Sequence, residues 1–203
     1  MEKSWVARRV NAAVGATRST YPSLLKNTWG SDMRIRQMTG DERRTVAFHE
    51  AGHVAMVYWR CESLHARKVV LHTDRYGGST LIPIYEQTEL ALMILLGGPM
   101  AELLAMDIVP KLPIRFPNEY QDANSDSTRI RNLVRTLRGG KDDRRYQFEV
   151  QERCREIIQE TRMWQAVTMI AERLIADGEI SGEDSEEIFE QCKAPRLYGE
   201  RSR

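Results

Sequence analysis

Three cysteines in 203 residues, Cys61, Cys154 and Cys192, are too few and too scattered for a disulfide scaffold or a paired-cysteine metal knuckle. They read as reduced thiols. Net charge is nearly absent: 30 Lys and Arg against 29 Asp and Glu leave +1. No global field then draws the chain to nucleic acid or to an anionic membrane. Long apolar runs are missing too. The strongest, Leu90 to Leu96, falls far short of the ~20 residues that cross a bilayer. Met1 to Arg36 shows no secretory pattern, because Trp5, Val6 and Val10 are mixed with arginine and polar residues. The 13 glycines stand singly or in isolated doublets, which excludes a glycine-rich phosphate cradle. No repeat or low-complexity block occurs. What is present, 41% hydrophobic and 29% charged residues, is an ordinary globular balance. These features lead us to expect a soluble, cytoplasmic protein with no membrane segment and no nucleic-acid partner.

The chain divides into an N-terminal extension over 1–38, one domain over 39–192 and a tail over 193–203. Val6, Val10 and Val14 are spaced for a short helix in the extension. Thr39-Gly-Asp-Glu42 fits a capping box, and Ala47, Ala51, Val54, Ala55 and Tyr58 recur at helical spacing, so a helix is expected over about 40–60. Lys68–Thr73 and Ser79–Ile84 flank a glycine-containing turn and read as a hairpin. Pro83 confines the second strand to an edge or to its own end. A buried helix covers about 87–106, interrupted by Gly97-Gly98 and resumed at Pro99. Asp107–Asn118, with three prolines, is a loop. Asn124 or Ser125 caps a helix to about Leu137, ended by Gly139-Gly140. Phe148–Ala176 reads as one long amphipathic helix stopped by Gly178, and Ser181 starts a last helix to about Gln191. The fold class is mainly α with one small β-hairpin.

His49-Glu50-Ala51-Gly52-His53 lies inside the first strong helix. At about 100° per residue, His49 and His53 sit about 40° apart and one turn up, so both imidazoles can reach one ion. Glu50 is rotated by about 100° and can face a water without ligating. Two imidazoles and a carboxylate, with one open position, are a usual catalytic zinc set. Glu50 then acts as general base and passes the proton to a leaving amine. The small residues Ala51 and Gly52 let another element approach closely. A third ligand is required, and spacing leaves His65, His72, Glu86, Glu89, Glu102, Asp107, Asp122 and Asp126 open. Asp122 and Asp126 are favoured by lying at a helix start, where Asp also serves as a cap.

At these residues the sequence resembles a family, the zinc peptidase domain of the FtsH ATP-dependent protease. The likeness runs from about Thr39 to Gln191. It is carried by His49-Glu-Ala-Gly-His53, by Lys68-Val-Val-Leu through Gly77-Gly78 to Leu81-Ile-Pro, and by Leu95-Leu-Gly-Gly-Pro-Met-Ala-Glu102. Asp122-Ala-Asn-Ser-Asp126 and Leu174 to Asp184 continue it. The resemblance implies that Asp126 is the third zinc ligand, beside His49 and His53. Departures accompany it. These residues carry neither the Walker loop nor the membrane helix of an FtsH machine. Ser125 replaces that family's Asn, Asp122 its Gly, and Pro99 its common Arg.

The expectation is a zinc metalloendopeptidase, ATP-independent in itself, with Zn2+ on His49, His53 and Asp126 and with Glu50 as catalytic base. Its substrates are unfolded proteins or peptides, taken by strand addition at the hairpin edge. A separate ATPase could supply unfolding. Self-association is compatible with the family, although its hexamer also depends on the ATPase ring. The alternative is a catalytically silent or narrowly selective protein-binding module that keeps the peptidase fold. Arg129, Arg131, Arg135, Arg138, Arg144 and Arg145 read as a solvated helix face rather than a nucleic-acid patch.

Overall fold

The computed structural model describes residues 16–17, 39–60, 64, 68–72, 78–81, 87–114 and 125–197. Val6 to Val14, Cys61, His65, Pro83, Glu86 and Asp122 lie outside these described residues. The element order is β1 (Ala16–Thr17), α1 (Gly40–Trp59), β2 (Lys68–Leu71), β3 (Gly78–Leu81), α2 (Glu89–Ala105), α3 (Asp126–Leu137), α4 (Arg144–Gln159), α5 (Thr161–Asp177), β4 (Glu179–Ser181) and α6 (Gly182–Cys192). The architecture is mainly α with one small antiparallel sheet.

The capping box forms as its sequence demands. Glu42 N donates to Thr39 Oγ1 at 3.2 Å, and Thr39 N donates to Glu42 Oε2 at 2.8 Å. The helix it starts is the centre of the fold, for every residue from Val46 to Tyr58 is buried. Such a helix must be covered on all sides. Helices α2 and α5 pack along it, and β2, β3, α4 and α6 close the remaining directions. Phe48 stacks on Trp164 of α5 with centroids 5.5 Å apart, and Tyr58 stacks on Phe189 of α6 at 4.3 Å.

α1 and α2 meet through glycine. A Cβ at Gly52 would stand 2.2 Å from the Gly97 carbonyl oxygen, and one at Gly97 would stand 2.6 Å from that of Gly52. The two backbones therefore touch at this point. This close approach explains why α2 runs unbroken through Gly97, Gly98 and Pro99, where an interruption was expected. Proline removes one amide from the helix ladder, but packing against α1 on both sides of it holds the helix together. Cys154, on the face of α4 that meets α2, is a free buried thiol, and its Sγ donates to the Met93 carbonyl at 3.6 Å.

Two more expectations are corrected. The stretch 148–176 is two helices, broken at Glu160, whose backbone is extended and whose Oε2 accepts from the amides of Arg162 and Met163, both at 2.9 Å. A glutamate cap is outside the usual Ser, Thr, Asp and Asn set. The turn after Gly178 also contains a strand. Gly178 adopts φ 82°, ends α5, and lets the chain return as β4. The sheet order is β1-β3-β2-β4, antiparallel throughout. Val69 sits between Thr80 and Ile180, and β1 pairs Ala16 with Leu81 and Thr17 with Thr80. Both hairpin strands thus have neighbours on both sides, so the open edge expected for strand addition is taken at Thr80 and Leu81 by the chain itself. Beyond α6, Leu197 N donates to the Trp59 carbonyl at 2.7 Å, and Arg196 lies 4.1 Å over the Tyr58 ring, which fastens the start of the tail to α1.

Candidate metal centre

His49, Glu50 and His53 are fully buried within α1. Polar groups in that position are unfavourable unless each finds partners. The two histidines lie one turn apart and face α2 and the start of α3. The α2 residue against them is Gly98. A Cβ there would stand 2.4 Å from His53 Nε2 and 2.7 Å from His49 Nε2. The space beside both nitrogens exists because residue 98 has no side chain.

Each ring is anchored through its other nitrogen. His53 Nδ1 lies 2.8 Å from the Ile94 carbonyl oxygen. A carbonyl only accepts, so Nδ1 carries the proton and Nε2 of the neutral ring presents a lone pair. His49 Nδ1 lies 2.9 Å from Glu102 Oε2, whose lone pair favours the same tautomer. Ile94, Gly98 and Glu102 are spaced four apart, one line along α2 that faces the histidines.

Asp126 supplies the third donor. It is the first residue of α3, behind the cap Ser125, at the helix end that favours a carboxylate. Its Oδ2 lies 3.0 Å from His49 Nε2 and 3.1 Å from His53 Nε2, and the two nitrogens are 3.1 Å apart. With both rings neutral, three lone pairs converge on one point, an arrangement that repels itself unless a cation or proton sits among them. A triangle with these edges places its corners about 1.8 Å from its in-plane centre, so a point slightly above that plane lies about 2.0–2.2 Å from all three donors, the usual length of a metal bond to imidazole nitrogen or carboxylate oxygen. Asp126 Oδ1 is buried and has no hydrogen-bond partner among the described residues. The residues present therefore fit a metal ion, and His49, His53 and Asp126 together could hold one.

Electrostatics agree with the geometry. Burial opposes charge on His49, but hydrogen bonds to Asp126 and Glu102 more than offset it and raise its pKa to about 10 in the metal-free protein. Burial also opposes charge on Asp126, yet the His53 and His49 imidazoles hold its carboxyl far below the ordinary carboxylate range. His49 would ligate an ion only after giving up its Nε2 proton.

The other candidate ligands are elsewhere. Glu102 supports His49 from behind and does not join the triangle. Glu89 is the first residue of α2, behind the cap Thr88, and pairs with Arg153 at 2.7 Å. Asp107 is exposed in a left-handed turn after α2, and His72 follows β2 half-buried. Sequence reasoning missed the roles of Gly98 and of the Ile94 carbonyl. Their signal was the spacing of four that links both to Glu102. No known family model matches the chain, and a comparison with curated proteins finds no match.

Proposed function

We propose that the chain is a zinc-dependent peptidase of the FtsH peptidase kind, hydrolysing peptide bonds in unfolded proteins or peptides. The observation that carries this reading is the convergence of His49 Nε2, His53 Nε2 and Asp126 Oδ2 within 3.0–3.1 Å of one another, with Glu50 next along the same helix. Two imidazoles and one carboxylate leave a tetrahedral ion one open position, and zinc suits that donor set. When bound, zinc supplies Lewis acidity and lowers the pKa of water to about 7. His49 and His53 are held in the ligating tautomer by Glu102 and Ile94. Glu50 takes the proton from the attacking water and delivers it to the leaving amine. The surrounding core excludes bulk solvent from Glu50, which is fully buried.

Replacing Glu50 by Gln tests the reading. The variant should retain one zinc per chain and lose cleavage of denatured casein by about two to four orders of magnitude. Undiminished cleavage would remove Glu50 from the chemistry. A wild-type protein that holds zinc and cleaves nothing would favour the silent binding module.

A further inference from the structure

Four of the arginines expected on a solvated helix face line a concavity. Arg131, Arg135, Arg144 and Arg145, together with Lys111, line a half-open cavity of about 1080 Å³, and Asp142 is the one acidic residue among the described residues lining it. That volume is just above the about 300–1,000 Å³ typical of ligand sites. Arg145 pairs with Glu149 at 3.0 Å. Lys111, Arg131, Arg135 and Arg144 have no ion-pair partner among the described residues. Buried Ile130 and half-buried Ile114 and Phe148 give the cavity an apolar floor. The cavity begins at Ser127, the residue after the ligand Asp126. Ser127, Ile130, Arg131 and Arg135 lie on one face of α3 by helical spacing. One helix therefore carries a metal ligand at its first position and a basic wall along its next two turns.

The rim has a second character. Among the described residues, Met106 (40%), Ile108 (37%), Val109 (53%) and Leu112 (67%) are four of the five large hydrophobic side chains that stand exposed, and all four lie in the one loop that leads into the cavity wall. Leu112, the most exposed of them, also lines the cavity, and exposed apolar side chains beside charge mark a binding surface.

We propose that this cavity binds an extended peptide segment carrying both acidic and apolar side chains, and that it sets the substrate class of the peptidase proposed above, on which the second half of this statement rests. Charge complementarity selects the acidic side chains and the 106–112 loop the apolar ones. A nucleic acid fits less well. Among the described residues lining it, Phe148 is the one aromatic, too few for a stacking platform.

The experiment uses the full-length zinc-loaded Glu50→Gln protein, so binding is read without cleavage. Fluorescence anisotropy compares a labelled peptide alternating Glu and Leu with one alternating Lys and Leu, and with a single-stranded oligonucleotide. The acidic peptide should bind at least about tenfold more tightly than the basic one, and salt should weaken it. Added Arg131→Glu and Arg135→Glu should abolish that preference while zinc content stays unchanged. Should that pair fail to fold, Lys111→Glu with Arg144→Glu, both exposed, reports on the same cavity. Equal binding of the two peptides, or stronger binding of the oligonucleotide, would overturn the proposal. The two readings fail separately. Cleavage of casein by wild type with no peptide charge preference removes the cavity's role alone. Selective binding with no cleavage by wild type removes the peptidase alone.

Discussion

The Nε2 atoms of His49 and His53 lie 3.1 Å apart, although the Ile94 carbonyl and the Glu102 carboxylate hold the proton of each ring on the opposite nitrogen. Neutral imidazoles avoid that arrangement unless something positive joins them. The backbone of α2 sets it up, because the residue between its two anchoring positions is glycine.

Gly98→Ala should therefore remove the metal and spare the fold. The new methyl would enter the space beside His53 Nε2, 2.4 Å away, where the ion belongs. Zinc per chain should drop to near zero while the far-ultraviolet circular dichroism is retained. Gly52→Ala should do something different. Its methyl would meet the Gly97 carbonyl at 2.2 Å, and neither backbone can yield without separating α1 from α2. The gain in helix propensity of about 1 kcal/mol is smaller than an overpacking penalty of about 1–3 kcal/mol or more. The thermal midpoint should fall by several degrees even with zinc in excess.

Glu102→Ala should weaken zinc about 10- to 100-fold, as loss of a carboxylate behind a ligating histidine commonly does. Glu102→Gln should lose less, since its amide oxygen can still accept from His49 Nδ1. Competition with a fluorescent chelator measures both. Equal loss in the two variants would mean that negative charge matters more than ring orientation.

The metal-free protein should show an alkaline loss of stability that the zinc form lacks. His49 rises from its ordinary 6.5 to about 10 on folding. Its contribution is complete below 6.5 and disappears as pH climbs through about 10. Asp126 is depressed, so its contribution is present above 3.8 and is lost as pH falls through the acid range. The midpoint of chelator-treated protein should therefore be highest between about pH 4 and 6.5 and decline toward pH 10 and beyond. With zinc bound the ring is already deprotonated, so the His49 part of that decline should vanish. Zinc uptake at pH 8 should also release a proton, measurable in weakly buffered solution.

Most of this site was legible because its signals are local. Thr39 and Glu42 fix a helix start, and a spacing of four puts His49 and His53 on one face. Asp126 was singled out by the resemblance, since eight acidic or histidine candidates satisfied spacing equally. Where reading failed, packing had overruled a local rule. Pro99 is a helix breaker by propensity, yet the touching backbones of Gly52 and Gly97 carry α2 through it. Glu160 splits α4 from α5 by an unusual cap inside an unbroken apolar stripe, which periodicity cannot detect. β4 is three residues long and owes its existence to pairing with β2. Ala16 and Thr17 similarly become a strand only beside β3.

Asp126→Asn addresses the centre most directly. Asparagine keeps the size and one acceptor oxygen but no negative charge, so two neutral imidazoles alone would face the ion. Zinc should be lost on dialysis at neutral pH, together with casein cleavage. The same exchange removes the anion that helps hold the His49 proton, so the alkaline decline of the metal-free protein should shift to lower pH. Asp122→Asn should leave zinc bound. Zinc lost from the Asp122 variant and retained in the Asp126 variant would transfer the third ligand to residue 122. Stoichiometric zinc in both would require a donor outside the His49–His53–Asp126 triangle.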